Sequence, residues 1–448
     1  MPDRPRAPKR EIVSWAMFDF ANQAYTLLII TVVFAVVFPR MIVGDGPDYR
    51  LGNFLWSLAL GISYLLTVLA SPILGAIMDY AAMKKRFLFY SYILTVVSTA
   101  ALYFASPGMI ILSMILIIIS NFGFAIGESF IASFLPELGP AKDLGKISGF
   151  GWAVGYIGGM ISTVCALLWI GEVSEENFAN LRYVGPLASA FFLFGAIPTF
   201  IWLKERSVPK PLPDGHSWFK IGYQRTFDTL KKVREFRDLA VFLLVVFFSM
   251  AGLSIIISFT FIYGDQVIRW DEDVRTLMFV ITQVTAMIGA VLFGFLQDRI
   301  GAKLTFNLTL VLWIITIFLI YLTPTITSIL NENFSALASL ETQTFFLFVG
   351  SIAGLGLGSV QSASRTLVGL FSPHSKSAEF FGFWGFSTKL ASVFGIIALG
   401  VMQLILGLHT AILICAVFFL LSLIGAYWVN EQRGIKVAMN YQEEKIRH

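Results

Sequence analysis

The sequence predicts an all-α membrane protein: twelve transmembrane helices in two six-helix pseudo-symmetric halves. Three observations predict it. Of 448 residues, 57% are hydrophobic and 13% charged, where a soluble domain carries about 25% charged residues. The mean hydropathy of +0.77 means more apolar surface than a water-solvated core encloses, so lipid serves as part of the solvent. Finally, two distant stretches repeat one another. Gly75-Ala-Ile-Met-Asp79 is followed by Lys84-Lys85-Arg86, and Gly294-Phe-Leu-Gln-Asp298-Arg299 by Lys303. Each sets a Gly, then an Asp, then cations where an apolar run meets a charged turn. Two copies in register point to an internal repeat of membrane helices, the layout of a secondary transporter.

Each apolar segment is long enough to cross a bilayer. In order they are 13–40, 52–78, 87–106, 109–134, 147–171 and 183–203, then 239–263, 275–297, 304–323, 343–370, 380–406 and 409–429. The chain divides into an N-terminal half (1–203), a basic linker (204–238), a C-terminal half (239–430) and a tail (431–448). The linker carries Pro209, Pro211 and Pro213, then the Lys- and Arg-rich run from Trp218 to Phe236. That run reads as an amphipathic helix lying on the membrane surface.

Charge bias orients the bundle. The turns on the side of the N-terminus hold Arg4, Arg6, Lys9 and Arg10; Lys84 to Arg86; Lys142 and Lys146; the linker cations; Arg299 and Lys303; Lys376; and Arg433 and Lys436. The opposite turns are acidic, with Asp45 and Asp48, Glu172, Glu175 and Glu176, and the Asp271 to Asp273 run. Cytoplasmic loops carry the Lys/Arg excess, so both termini and the linker are expected in the cytoplasm. The short loops suit a bacterial inner membrane. No cleavable signal peptide is read, because Met1 to Glu11 is polar and the run after it is long enough to stay. The net charge of +4 is scattered over turns, which speaks against a nucleic-acid partner.

In the repeated turns, the Gly lets two helices approach closely. The Asp then sits near the N-terminus of a neighbouring helix, or pairs with a cation. Gly75, Asp79, Gly294, Asp298, Arg299 and Lys303 are therefore candidates for a conformational latch. The plainer reading is a helix-ending turn, which the duplication in register disfavours.

Ionisable residues inside spanning segments are costly and mark function by default. Four stand out: Asp19 in Trp15-Ala-Met-Phe-Asp-Phe-Ala-Asn22, Glu128 in Gly127-Glu-Ser129, Arg365 in Gln361-Ser-Ala-Ser-Arg365, and Lys389 in Phe386-Ser-Thr-Lys389. With Asn22 they form the candidate substrate-binding or gating set. Two acids lie in the first half and two bases in the second, all towards the cytoplasmic side. Pairs across the halves would close that mouth, and protonating Asp19 or Glu128 would weaken them, a route to proton coupling. Arg365 or Lys389 would alternatively hold a substrate carboxylate or phosphate. The bland alternative is that all four snorkel and only anchor helices. Trp15, Trp152 and Trp384 are candidates to line a cavity or to sit in interfacial aromatic belts.

Other chemistry is not written here. Gly149 to Gly159 and Gly350 to Gly358 are Gly-rich but apolar and lack a following Lys-Ser or Lys-Thr, so they read as helix-packing surfaces, not phosphate loops. Cys165 and Cys415 read as core thiols. His216, His374, His409 and His448 fall in loops or at termini and form no metal cluster. No catalytic arrangement, metal site or cofactor is expected, and the chain is read as a monomer and not an enzyme.

The paired turns and the six-plus-six plan resemble the major facilitator superfamily. Three stretches resemble its autophagy-related vacuolar effluxer-like branch: Ser14 to Asn22; Leu135-Pro-Glu-Leu-Gly139 with Gly145 to Gly155; and Ser364-Arg-Thr, Ala378-Glu-Phe-Phe-Gly382 and Lys389. The resemblance implies alternating access, a cavity lined by segments one, four, seven and ten, and movement of amino acids or similar small metabolites. Two positions depart from the pattern. Tyr80-Ala-Ala-Met83 stands where the superfamily has an Arg, a Gly and cations, which predicts a looser first latch. Glu128 stands where a neutral polar residue is expected. The expected function is a proton-coupled secondary transporter for a small polar or zwitterionic metabolite, with protons and membrane lipids as further partners. The alternatives are efflux of lipophilic cations, and a non-transporting receptor that signals through the linker or tail.

Overall fold

The computed structural model describes residues 5–44, 49–213, 215–334 and 339–441. Arg4, Asp45, Asp48 and His448 lie outside the described residues. Among those described, every regular element is helical, because lipid offers nothing to an unpaired backbone group and a helix satisfies its own. The first half comprises α1 (Lys9–Val43), α2 (Arg50–Ala81), α3 (Lys84–Phe104), α4 (Ile110–Glu137), α5 (Ala141–Trp169) and α6 (Phe178–Trp202). The linker holds α7 (Trp218–Lys231). The second half comprises α8 (Arg237–Ile268), α9 (Asp273–Ile300), α10 (Ala302–Asn333), α11 (Thr342–Phe371), α12 (His374–Ala411) and α13 (Ile414–Ala426). A short α14 (Glu431–Asn440) follows.

Eleven of these helices are long and apolar enough to span on their own. At 13 residues, α13 is too short to span by itself, and it is bent by 63° from α14. Gly407 sits inside the α12 range with φ 74° and ψ 158°, a conformation that glycine adopts without strain. The chain turns there, and residues 408–411 lead into α13. His409 is therefore in a helical segment rather than a loop, and its Nδ1 lies 2.9 Å from the Tyr263 hydroxyl.

One boundary differs instructively. The sequence reading stops the ninth segment at 323, before Pro324, yet α10 continues to Asn333. Proline deprives the carbonyl four residues earlier of its N–H donor. That carbonyl, on Ile320, instead accepts from the Tyr263 hydroxyl at 3.2 Å, so the helix runs on.

The halves meet along two seams, α2 beside α12 and α5 beside α9. Glycines set the spacing at both. A Cβ on Gly75 would collide with the Ala378 carbonyl, and one on Gly149 with the Ala290 carbonyl. The close cross-half contacts described below cluster towards the end of the bundle that carries the linker, here called the linker face.

The repeat extends into capping. Glu205 accepts from the Lys84 and Lys85 N–H groups at the start of α3, at 2.8 and 3.1 Å. Glu431 does the same for Ala302 and Lys303 at the start of α10, at 3.0 Å each. Beside them, Arg206 forks onto Glu11 at 2.6 and 2.7 Å, and Arg433 onto Asp238 at 2.6 and 2.8 Å. Each half thus ties the start of its first and third helices to the chain leaving its sixth.

Candidate functional site: acid–base pairs and latches between the halves

Arg365 lies on α11, five residues after a Val360 that is buried in the core, and reaches into the other half. Its Nη1 donates to Asp19 Oδ2 on α1 at 2.7 Å. Its Nε donates to Ser148 Oγ at 3.1 Å and Nη2 to the Ser148 carbonyl at 2.8 Å, both on α5. Ser148 in turn donates to the Ser362 carbonyl at 3.0 Å, a second cross-half bond. The guanidinium carbon lies 4.5 Å from the Trp15 ring centroid and 5.3 Å from that of Trp152. A desolvated cation–π contact of this kind contributes about 2 kcal/mol. Gly151 makes room: a Cβ there would lie 2.6 Å from Trp15, 2.7 Å from Arg365 and 2.8 Å from Asp19.

A second pair lies nearby. Lys389 Nζ on α12 donates to Glu128 Oε2 on α4 at 2.6 Å. The ammonium is 5.6 Å from the Tyr64 ring centroid and 5.7 Å from that of Phe124. Exposure separates the two pairs. The Arg365 and Asp19 side chains are 3% and 12% exposed, and those of Lys389 and Glu128 16% and 27%. The first pair is the more enclosed of the two.

Between them lies a cavity of about 20 Å³, lined by Asp19, Asn22, Gln23, Glu128, Trp152, Arg365 and Trp384. That is room for about one water. Two of its lining groups are buried and unpaired: Asn22 Oδ1 and Trp152 Nε1. Trp384 is held by its indole N–H donating to Ser364 Oγ at 2.9 Å.

The repeated turns lie at the linker face. Asp79, ending α2, accepts from the Ala378 and Glu379 N–H groups of α12 at 3.1 and 2.8 Å. Asp298, near the end of α9, accepts from the Gly145 and Lys146 N–H groups of α5 at 3.0 and 3.1 Å. Each carboxylate therefore caps the first α-helical turn of α12 (from Ser377) or α5 (from Leu144) in the other half, where exposed N–H groups and the helix dipole favour negative charge.

A sequence profile described as vacuole effluxer Atg22 like matches residues 55–439. The chain belongs to this Atg22-like family. A relative named as an uncharacterized MFS-type transporter, from Bacillus subtilis, is 26% identical over 438 residues, 96% of this chain and 97% of its own. Autophagy-related protein 22-1 of Aspergillus niger is 26% identical over 67% of this chain but only 49% of its own length, so the chain spans about half of that fungal relative. Among solved structures, the proton:xylose symporter XylE superposes with a TM-score of 0.66 at 15% identity, covering 95% of this chain and 96% of its own. A bacterial homologue of the iron transporter ferroportin in an outward-facing state gives 0.65 at 15% identity, covering 93% and 98%. The fold is that of the major facilitator superfamily, and this Atg22-like protein is a transporter of that type, which works by alternating access.

Asp19 and Arg365 are brought together, and so are Glu128 and Lys389, while Asn22 shares the cavity with three of them. The latch candidates divide. Gly75, Asp79, Gly294 and Asp298 meet at the seams. Arg299 is exposed at the end of α9, and Lys303 contributes its backbone N–H to Glu431. The cation beside Asp298 is Lys146, at 3.4 Å.

The looser first turn expected from Tyr80 is not seen in the geometry. Asp79 makes the same two bonds as Asp298 and is also 3.6 Å from the fully buried Lys84 ammonium. Lys84 donates to Glu137 at 2.7 Å and to Ser377 across the seam at 2.6 Å. From the sequence Lys84 reads as a cation of the repeated turn and a topology signal, and Ser148, inside the Gly145 to Gly155 stretch, carries no signal of its own.

Two arginines outside the spans have their pKa raised by the acids they pair with. The hydrogen bond to Glu11 raises Arg206 above its ordinary pKa. Arg433 is raised likewise by its hydrogen bond to Asp238.

Proposed function

We propose that this Atg22-like transporter moves a small zwitterionic, amino-acid-like metabolite by proton-coupled alternating access. The observation that carries the reading is the pair Glu128–Lys389, an acid of one half and a base of the other, partly exposed beside the small polar cavity. A zwitterion offers both charges that such a pair needs. Its carboxylate suits Lys389 and its ammonium suits Glu128, so that binding replaces one cross-half contact by two. Protonating Glu128 would cancel its charge and free Lys389 by another route, which couples protons to the same step.

In this reading Asp19–Arg365 is the gate floor and not a substrate ligand, because three of its five guanidinium N–H groups already bond to Asp19 and Ser148 and its carbon lies near two indole rings. With the linker face in the cytoplasm of a bacterial inner membrane, the sealed end is cytoplasmic and the state is outward-facing. The latches at Asp79 and Asp298 stabilise it. The proposed unit is a monomer with a cytoplasmic linker (204–238) between halves 1–203 and 239–430.

Reconstituted protein screened against amino acids, sugars, nucleosides and lipophilic cations, with and without an imposed pH gradient, tests this. Gradient-driven uptake of an amino acid supports it. Flux of lipophilic cations alone would favour the second reading, in which Glu128 would be the counter-charge beside the Trp152 and Trp384 rings of the cavity.

A further inference from the structure

Helix α7 in the linker has two distinct faces, and one of them is buried against the protein. Ile221, Gly222, Arg225 and Thr229 are buried, at helical spacing. A Cβ on Gly222 would lie 2.6 Å from the Ile77 side chain and 2.8 Å from the Ile73 carbonyl. Thr226 Oγ1 donates to the Pro72 carbonyl at 3.3 Å. Across the seam, Thr229 accepts from Lys376 at 2.5 Å, and Arg225 lies 3.5 Å from the Ser375 carbonyl. The helix is therefore clamped over α2 and touches the start of α12.

Its position along α2 is informative. On α2, Ile62, Leu65, Leu66 and Leu69 form an exposed apolar row, at 37%, 56%, 43% and 62%. Such a row on a spanning helix is its lipid-facing surface. Helix α7 covers the continuation of this row at Ile73 and Ile77, in the last turns before the linker face. It stands where lipid would otherwise stand.

The opposite face of α7 is an apolar stripe: Phe219, Tyr223, Phe227 and Leu230, exposed by 65%, 56%, 48% and 51%. Tyr223 and Phe227 stack with centroids 6.2 Å apart. Along its edge run Lys220, Gln224, Asp228 and Lys231, all exposed, with Arg234 just beyond the helix. The Lys231 ammonium sits 4.7 Å from the Phe227 ring centroid. Aromatic rings bordered by cations, at the depth where a spanning helix leaves the hydrocarbon, match an anionic lipid interface in both polarity and charge.

We propose that the Phe219–Tyr223–Phe227–Leu230 stripe of α7 is a docking surface for anionic phospholipid, with Lys220, Lys231 and Arg234 binding the headgroups. The helix thereby lies between the protein seam and the leaflet, and lipid charge reaches a segment that touches both halves.

The full-length protein in lipid nanodiscs tests this. Nitroxides placed by Tyr223→Cys and Gln224→Cys, in a Cys165→Ser, Cys415→Ala background, report depth through collisions with oxygen and with an aqueous nickel chelate. With phosphatidylglycerol present, label 223 should favour oxygen and label 224 nickel. Native mass spectrometry of unlabelled protein should show retained phosphatidylglycerol over phosphatidylcholine. Lys220→Gln with Lys231→Gln should reduce that preference roughly tenfold or more, at about 1 kcal/mol per cation near an anionic surface. A nickel-accessible label 223, concentration-dependent spin–spin broadening that reveals a second copy, or a headgroup preference unchanged in the double variant would each overturn the proposal.

Discussion

Ser148 and Arg365 are held together across the two halves by a pair of hydrogen bonds, 3.1 Å to the hydroxyl and 2.8 Å to the carbonyl. The serine presents an acceptor from its side chain and another from its backbone, which only a planar fork meets together. Arg365→Lys therefore loses the fork and the contact with both indoles while keeping the charge. We expect transport to fall at least tenfold and the closed state to weaken by about 2 kcal/mol, read as substrate uptake and as melting temperature in detergent. Full activity of the lysine variant would contradict the gate-floor assignment.

Glu128 and Lys389 should behave as a unit. Removing either alone leaves the other charge without its partner, whereas Glu128→Gln with Lys389→Gln leaves none. Orphaning a buried partner costs about 3–5 kcal/mol, and solvent at this half-open pair reduces that to roughly 1–2 kcal/mol. Each single variant should melt lower than the double, and all three should lose stimulation by a pH gradient. Additive melting shifts would show that the two do not interact.

The two latches predict a different readout. Asp79→Ala and Asp298→Ala each remove a cap from a helix of the other half, worth about 1 kcal/mol. Because they lie on separate seams, their effects should add. Either variant should raise the population open at the linker face about fivefold, measured as reactivity of a cysteine placed at Ala290. Unchanged reactivity in the double variant would remove the latch role.

Gly149→Leu tests the seam sterically. A side chain there meets the Ala290 carbonyl, so it should disfavour the closed linker face while leaving each half folded. Trapping by an inward-state ligand or antibody should increase; a decrease would mean the seam opens elsewhere.

Much of this was legible in the sequence. The apolar runs mark the spans because lipid imposes a length and a composition on each. The buried charges were legible because an ionisable group in a span has few bland explanations. Partner choice was not. Lys146, rather than Arg299 or Lys303, stands beside Asp298 because α5 and α9 pack across the halves, which no local spacing encodes. Lys84 looked like an ordinary positive-inside cation, and only the seam buries it between Glu137 and Ser377. Ser148 gave no signal, since a serine in a Gly-rich helix reads as a packing residue. Pro324 gave a false one, because the Tyr263 hydroxyl that rescues the helix comes from α8.

The central claim is that cross-half acid–base contacts hold the linker face shut until substrate and proton release them. Paired spin labels at the linker-side ends of α2 and α12, and at their opposite ends, measure it most directly in nanodiscs. The account predicts a short linker-side distance at rest that lengthens at acidic pH with substrate, while the opposite distance shortens, and no such response in Glu128→Gln. Distances that ignore pH and substrate in the unmodified protein, or respond equally in Glu128→Gln, would contradict it.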